Sequence, residues 1–136
     1  MNRAFTLLVT FIYIIACNTV KSDDKHQDLK RVWMLTEFGQ FDKKELVKKE
    51  AYLDLTQPQN AGSKMGCNQL SFPYTIKNDK EIGFTDGFAT KMYCQDMQLE
   101  NEFAKKITEV SQYAVEGQKL ILTTKSGVKI VFVAQD

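Results

Sequence analysis

The sequence predicts a small α+β domain, a curled or barrel-like antiparallel β-sheet closed by one amphipathic helix. Three observations carry this. Short β-rich runs recur at close spacing with turn residues between them. A single apolar stripe at helical spacing interrupts them, and glycines mark two tight turns near the end. Several strands with one inserted helix fit a sheet curled around that helix.

In chain order, Val32-Trp33-Met34-Leu35-Thr36-Glu37-Phe38 has apolar residues on both faces and reads as an inner strand. Lys43 to Lys49 is charged, a helical turn or a loop. Ala51, Leu53 and Leu55 alternate with Tyr52, Asp54 and Thr56, a half-buried strand. Gln57 to Gly62 reads as the turn that ends it. Gly66 and Asn68 tolerate unusual backbone angles, so Cys67 between them belongs in a turn or bulge. Tyr74-Thr75-Ile76 and Ile82-Gly83-Phe84 are short strands around the turn Asn78-Asp79-Lys80, and Ala89 to Cys94 leads into the helix.

The helix is the clearest element. Leu99, Phe103, Ile107 and Val110 share one stripe, read as a core face, with Glu102, Lys105, Lys106 and Glu109 opposite. Asp96 is placed to cap its start, and acidic Glu100 and Glu102 precede the basic pair, which suits the helix dipole. Tyr113 to Val115, Leu120 to Thr123 and Val128 to Val133 then form two hairpins, with Gly117 and Gly127 in the loops.

Ahead of the domain, Met1-Asn2-Arg3 and an apolar run from Ala4 to Ala16 have the layout of a signal peptide over residues 1–16. Ile14-Ile15-Ala16-Cys17 resembles the lipobox of bacterial lipoproteins, which makes Cys17 the expected lipidated residue. A plain secretory leader with an incidental cysteine is the competing reading. Residues 17–30 are polar and lack aromatics, a flexible tether, and the domain is expected over 31–136. The run Lys21 to Lys25 loosely resembles the export signals of surface lipoproteins, against an ordinary solvated tether. Asn18 after the cysteine suggests release to an outer membrane where the cell has one.

Charge and residue types exclude several classes. Without Arg3 the basic side chains fall from 18 to the 17 that match the acidic ones. That balance argues against a nucleic-acid partner and against a polybasic membrane patch, leaving the acyl chains as the membrane contact. His26 is the only histidine and lies in the tether. The domain therefore builds no Ser-His-Asp or Cys-His constellation and no His-bearing zinc site. Cys67 and Cys94 are 27 positions apart, which fits neither zinc nor C-x-x-C spacing. No cofactor, metal or catalytic residue is expected, although paired carboxylates stay open because Asp and Glu are plentiful.

The two cysteines are expected to form a disulfide, because export favours bonding and only these thiols remain once Cys17 is acylated. Two buried free thiols or a labile redox pair are the alternatives.

Together these segments resemble the META domain family, the HslJ-like lipoproteins and envelope proteins of bacteria. The resemblance rests on Trp33-Met34-Leu35, Gly66-Cys67-Asn68, Tyr74, Thr90-Lys91-Met92-Tyr93-Cys94, Glu100 with Phe103, Leu120-Ile121-Leu122, and Gly127 with Phe132. It covers about Leu29 to Val133. Gly62-Ser63 stands where the family has Ser-Gly, and Ser71-Phe72-Pro73-Tyr74 where it has Ser-Gly-x-Tyr. The resemblance implies a non-enzymatic envelope lipoprotein, linked to stress tolerance or to an envelope protein partner, with no established catalytic residues. A second reading is a carrier of a small apolar ligand in the mouth of the sheet, lined by Phe72, Tyr74, Phe84, Phe88 and Tyr93.

Overall fold

The computed structural model describes residues 26–135. The leader, Cys17 and the first part of the tether lie outside the described residues. A short 3-10 turn, Gln27–Leu29, opens the fold. Here the tether reading needs correction, because Leu29 is only 2% exposed and its carbonyl accepts the Trp33 indole N–H at 2.9 Å. One leucine beside a buried tryptophan draws this turn onto the core, so the compact domain takes in residues expected in solvent.

Strand β1, Val32–Phe38, is paired on both edges, by the strands Tyr52–Asp54 and Lys129–Ala134. Its faces are not both apolar walls, however. Trp33 and Leu35 point inward, and a bulge between Leu35 and Glu37 returns Phe38 to the inside. The charged segment after it forms helix α1, Lys43–Lys48, capped by the Asp42 carboxylate, which accepts from the Glu45 N–H at 2.9 Å. In and around β2, Tyr52–Asp54, the alternation holds: Ala51, Leu53 and Leu55 are fully buried.

Strand β3, Asn60–Lys64, lies partly inside the expected turn, and β4, Gln69–Ile76, is longer than the expected Tyr74–Ile76. Ala61 and Ser63 face inward on β3, so small residues form this stretch of wall. β5 is Ile82–Phe84, β6 is Phe88–Ala89, and helix α2 is Gln98–Ile107. The chain ends with β7, Val110–Glu116, β8, Lys119–Thr124, and β9, Lys129–Ala134. Gly117 and Gly127 take φ of +62° and +87° in the two hairpin loops.

The strands are antiparallel in the order β5-β4-β3-β2-β1-β9-β8-β7, with β6 added to β4. The two ends of this order meet. The Tyr113 N–H donates to Lys80 O at 2.9 Å, and Glu81 bridges to Gln112. The sheet is therefore a nearly closed barrel with one seam.

Helix α2 fills it. Leu99, Phe103 and Ile107 are fully buried, as the stripe predicts, whereas Val110 is buried but belongs to β7. The Phe103 ring stands edge-on to Phe38, Phe72 and Phe132, at centroid distances of 6.1, 6.3 and 6.5 Å. Three wall strands thus converge on one helical side chain. Burial of each such side chain contributes about 1.5–3 kcal/mol.

Candidate functional site

At one end of the barrel a turn, a loop and the start of α2 come together. The turn joins β3 to β4 and contains Gly66 at φ +112°. A side chain there would strain the backbone, and its Cβ would press on the Lys49 stem at 3.2–3.4 Å. The glycine thus lets the chain reverse under Lys49, leaving Cys67 and Asn68 each 3% exposed.

Asn68 is the centre of the site. Its Oδ1 accepts from the Met92 N–H at 2.7 Å and from the Thr90 hydroxyl at 2.9 Å. Its Nδ2 donates to Glu100 Oε1 at 2.8 Å and to Met92 O at 3.2 Å. Both donors and both lone pairs of the carboxamide are thereby used. Toward Met92 the side chain does what a neighbouring strand would do, pairing with the N–H and C=O of one residue. The Asn68 N–H donates to Glu100 Oε2 at 2.7 Å. Glu100, only 5% exposed, is satisfied by the turn itself, which removes the cost of burying a lone carboxylate.

Residues 85–97 form the loop that this clamp holds. The Thr85 N–H donates to Pro73 O and the Thr90 N–H to Gln69 O, each at 3.0 Å. Gly87 runs so close to β4 that a Cβ would lie 1.8 Å from Ser71 O. Cys94 is bonded to Cys67 with their Cα atoms 6.1 Å apart, so the two cysteines are a disulfide rather than free thiols. Lys49 Nζ meets Asp96 Oδ2 at 2.6 Å. That ammonium first, and the Gln98 N–H second, hold the Asp96 carboxyl below its ordinary range. Asp96 is not the helix cap. Met97 takes that position without a side-chain bond, and Asp96 reaches only the Gln98 N–H, at 3.2 Å.

Of the motif residues, Gly66, Cys67, Asn68, Thr90, Met92 and Cys94 are brought together, and Glu100 joins them. Trp33, Tyr74 and Phe103 are not part of the site; they hold the barrel. The Tyr74 hydroxyl reaches Gln57 O at 3.2 Å and Leu55 O at 3.4 Å. Burial, reinforced by Asp54, pushes its phenol above the ordinary value. Cys17 lies outside the described residues.

What the loop presents to solvent is unusual for its chemistry. Phe88, Met92 and Tyr93 are 74%, 54% and 94% exposed, with exposed Lys91 among them. Met92 serves the clamp through its backbone alone, which any residue but proline supplies. Nothing in the fold requires its thioether.

The five rings expected to line an apolar cavity do not converge. Phe72, Tyr74 and Phe84 are buried in the core, while Phe88 and Tyr93 stand in solvent. Phe103 already occupies the interior. A groove of about 540 Å³ lies outside the barrel instead, bordered by Val32, Met34, Tyr52, Asp54, Lys64 and Gln69. Among the described residues, no group of three His, Cys, Asp or Glu is placed to hold a metal ion. No helix among them is long and apolar enough to cross a membrane.

Two solved structures share the fold. One is an NMR structure of a protein from Burkholderia xenovorans, 19% identical, with a TM-score of 0.61 over 83% of this chain and 88% of that one. The other is a crystal structure of a DUF4847 family protein from Bacteroides vulgatus, 11% identical, with a TM-score of 0.55 over 79% of this chain and 95% of that one. No curated protein matches the sequence. The sequence profile of the META domain matches residues 27–136, and the chain belongs to the META domain family.

Proposed function

We propose that this META domain protein is a non-enzymatic, lipid-anchored envelope protein that docks an envelope protein partner through its 85–97 loop. In this reading its contribution to envelope stress tolerance comes from that partner. The observation that carries it is the set Phe88, Met92 and Tyr93, held out in solvent on a loop fastened by a disulfide, a buried clamp and an ion pair. Aromatic side chains bury large area at little entropic cost and are frequent interface anchors, and a flexible methionine adapts to the partner's surface. Glu100, the buried carboxylate nearest the loop, has both oxygens engaged by Asn68, which supports a structural rather than a catalytic role.

The anchor rests on Ile14-Ile15-Ala16-Cys17 and the likeness to envelope lipoproteins, and Asn18 favours the outer membrane where one exists. The fold suits that arrangement. His26 Nδ1 meets the Tyr113 hydroxyl at 3.0 Å, and that hydroxyl also reaches Asn78 O, near the Ile76 end of β4. The loop is fastened at the Gln69 end, about 25 Å away along an eight-residue strand. The loop is thus remote from the point where the described residues begin.

Two measurements test this. Intact mass of membrane-extracted protein should show acyl chains on a chain beginning at Cys17; a soluble product beginning elsewhere would sink the anchor. A photo-crosslinking residue at position 93 should give a discrete adduct with an envelope protein in living cells. The same probe at the exposed Lys125 should not, and equal labelling from both sites would count against the loop.

A further inference from the structure

The two sulfurs of the Cys67–Cys94 bond are not equally placed. Cys67 is 3% exposed beneath the loop, whereas Cys94 is half-buried between the exposed residues Tyr93 and Gln95, in a segment with no strand partner. An external thiolate attacks a disulfide along the S–S axis and must reach one sulfur from outside. Of the two residues, Cys94 is the more open to such an approach.

We propose that the folded protein undergoes thiol–disulfide exchange at Cys94 with an external dithiol, of the kind carried by a dithiol oxidoreductase. The partner's thiolate bonds to Cys94 Sγ and the Cys67–Cys94 bond breaks. The electron pair leaves on Cys67 Sγ, which takes a proton from water. The partner's second thiolate then attacks its own sulfur in the mixed disulfide and releases Cys94 as a thiolate, which is protonated in turn. The partner dithiol becomes a disulfide, and the cysteine pair has gained two electrons and two protons. Met92 and Tyr93, immediately before the attacked residue, supply an apolar approach for that partner.

The fasteners on either side of Cys94 do not depend on the bond. Asn68 holds Thr90 and Met92, and Lys49 holds Asp96. Opening the bond therefore frees Tyr93 to Gln95 while the barrel and the rest of the loop stay in place. The proposal stands apart from the lipid anchor; it shares Met92 and Tyr93 with the docking reading, and the exchange test below is independent of any docking partner.

The test uses the intact oxidised protein and glutathione under native conditions. After brief exposure, free thiols are alkylated and the cysteine peptides are mapped by mass. Glutathione should be found on Cys94 in at least about tenfold excess over Cys67, with the alkyl group on Cys67. The signal of the buried Trp33 should be unchanged during this step. Glutathione on Cys67 in equal or greater amount would overturn the assignment. So would exchange that proceeds only in step with loss of the Trp33 signal, because the sulfurs would then be reached through global unfolding.

Discussion

Helix α2 has two buried neighbours that differ in kind. Phe103 faces the barrel interior and touches rings from β1, β4 and β9. Glu100, one turn earlier, faces the Gly66–Asn68 turn and is held by two hydrogen bonds shorter than 3 Å. The first contact is non-directional, and neighbouring side chains can relax around a change. The second is directional, and losing either partner strands a buried polar group. The difference separates the part of the domain that keeps it folded from the part that keeps a loop in position.

Substitutions that break this division rank by the physics of each region. Phe103→Ala removes the ring at the centre of the core and should cost about 3–5 kcal/mol in denaturant unfolding, with Phe103→Leu restoring much of the loss. Replacing both Cys67 and Cys94 with Ser should cost up to roughly 3.5 kcal/mol, the chain-entropy value for a span of this length. The loss should fall on the loop first and leave the near-ultraviolet signal of Trp33 intact while the protein is folded.

Asn68→Ala strips the Met92 peptide of its side-chain partners and Glu100 of its Oε1 bond, while the backbone N–H at position 68 still donates to Oε2, and should cost about 2–3 kcal/mol, more than its small size suggests. Asn68→Asp sharpens the test by facing the Glu100 carboxylate with a second one. Like charges raise the folded-state pKa of the pair above its unfolded value. Stability of this variant should therefore recover as pH falls through that raised value, and by more than in Asn68→Ala, where no second carboxylate faces Glu100. Urea titrations across the acid range distinguish the two.

The smallest effect belongs to Tyr74→Phe, about 1 kcal/mol for the lost hydroxyl bonds. The Tyr74 phenol is raised by burial and by Asp54, so its stabilisation is present below the ordinary tyrosine range and lost as pH rises through the folded value. The variant should lose less stability than the parent in alkaline titrations, with Tyr113, also raised by burial and by Asp79, supplying the remainder.

The division also tracks what a sequence can reveal. Leu99, Phe103 and Ile107 announce themselves by helical spacing, and Ala51, Leu53 and Leu55 by alternation, because burial imposes a period. β3 has no such signature. Asn60 to Lys64 are poor strand formers, and their place in the wall comes from pairing with β2 and β4. The clamp is equally silent. Asn68 meets Met92 and Glu100 across 24 and 32 residues, and hydrogen bonds at that range leave no periodicity. Glu100 looks like an ordinary first-turn acid until the turn folds over it. Gly66-Cys67-Asn68, Thr90, Met92, Cys94 and Glu100 stand out as motif residue types, but nothing in their spacing shows that they meet. Leu29 shows the same limit at the N-terminus, where one buried side chain outweighs a polar context.

The claim that Asn68 positions the loop is tested most directly at the Met92 amide. That N–H lies outside any strand, on an exposed loop, and donates to Asn68 Oδ1 at 2.7 Å. Native-state hydrogen exchange should find it slowed by about a hundredfold or more against an unstructured amide. In Asn68→Ala that protection should vanish while the α2 amides from Phe103 to Ile107 stay protected. A Met92 amide that exchanges freely in the parent protein, or that keeps its protection in the variant, would contradict the account.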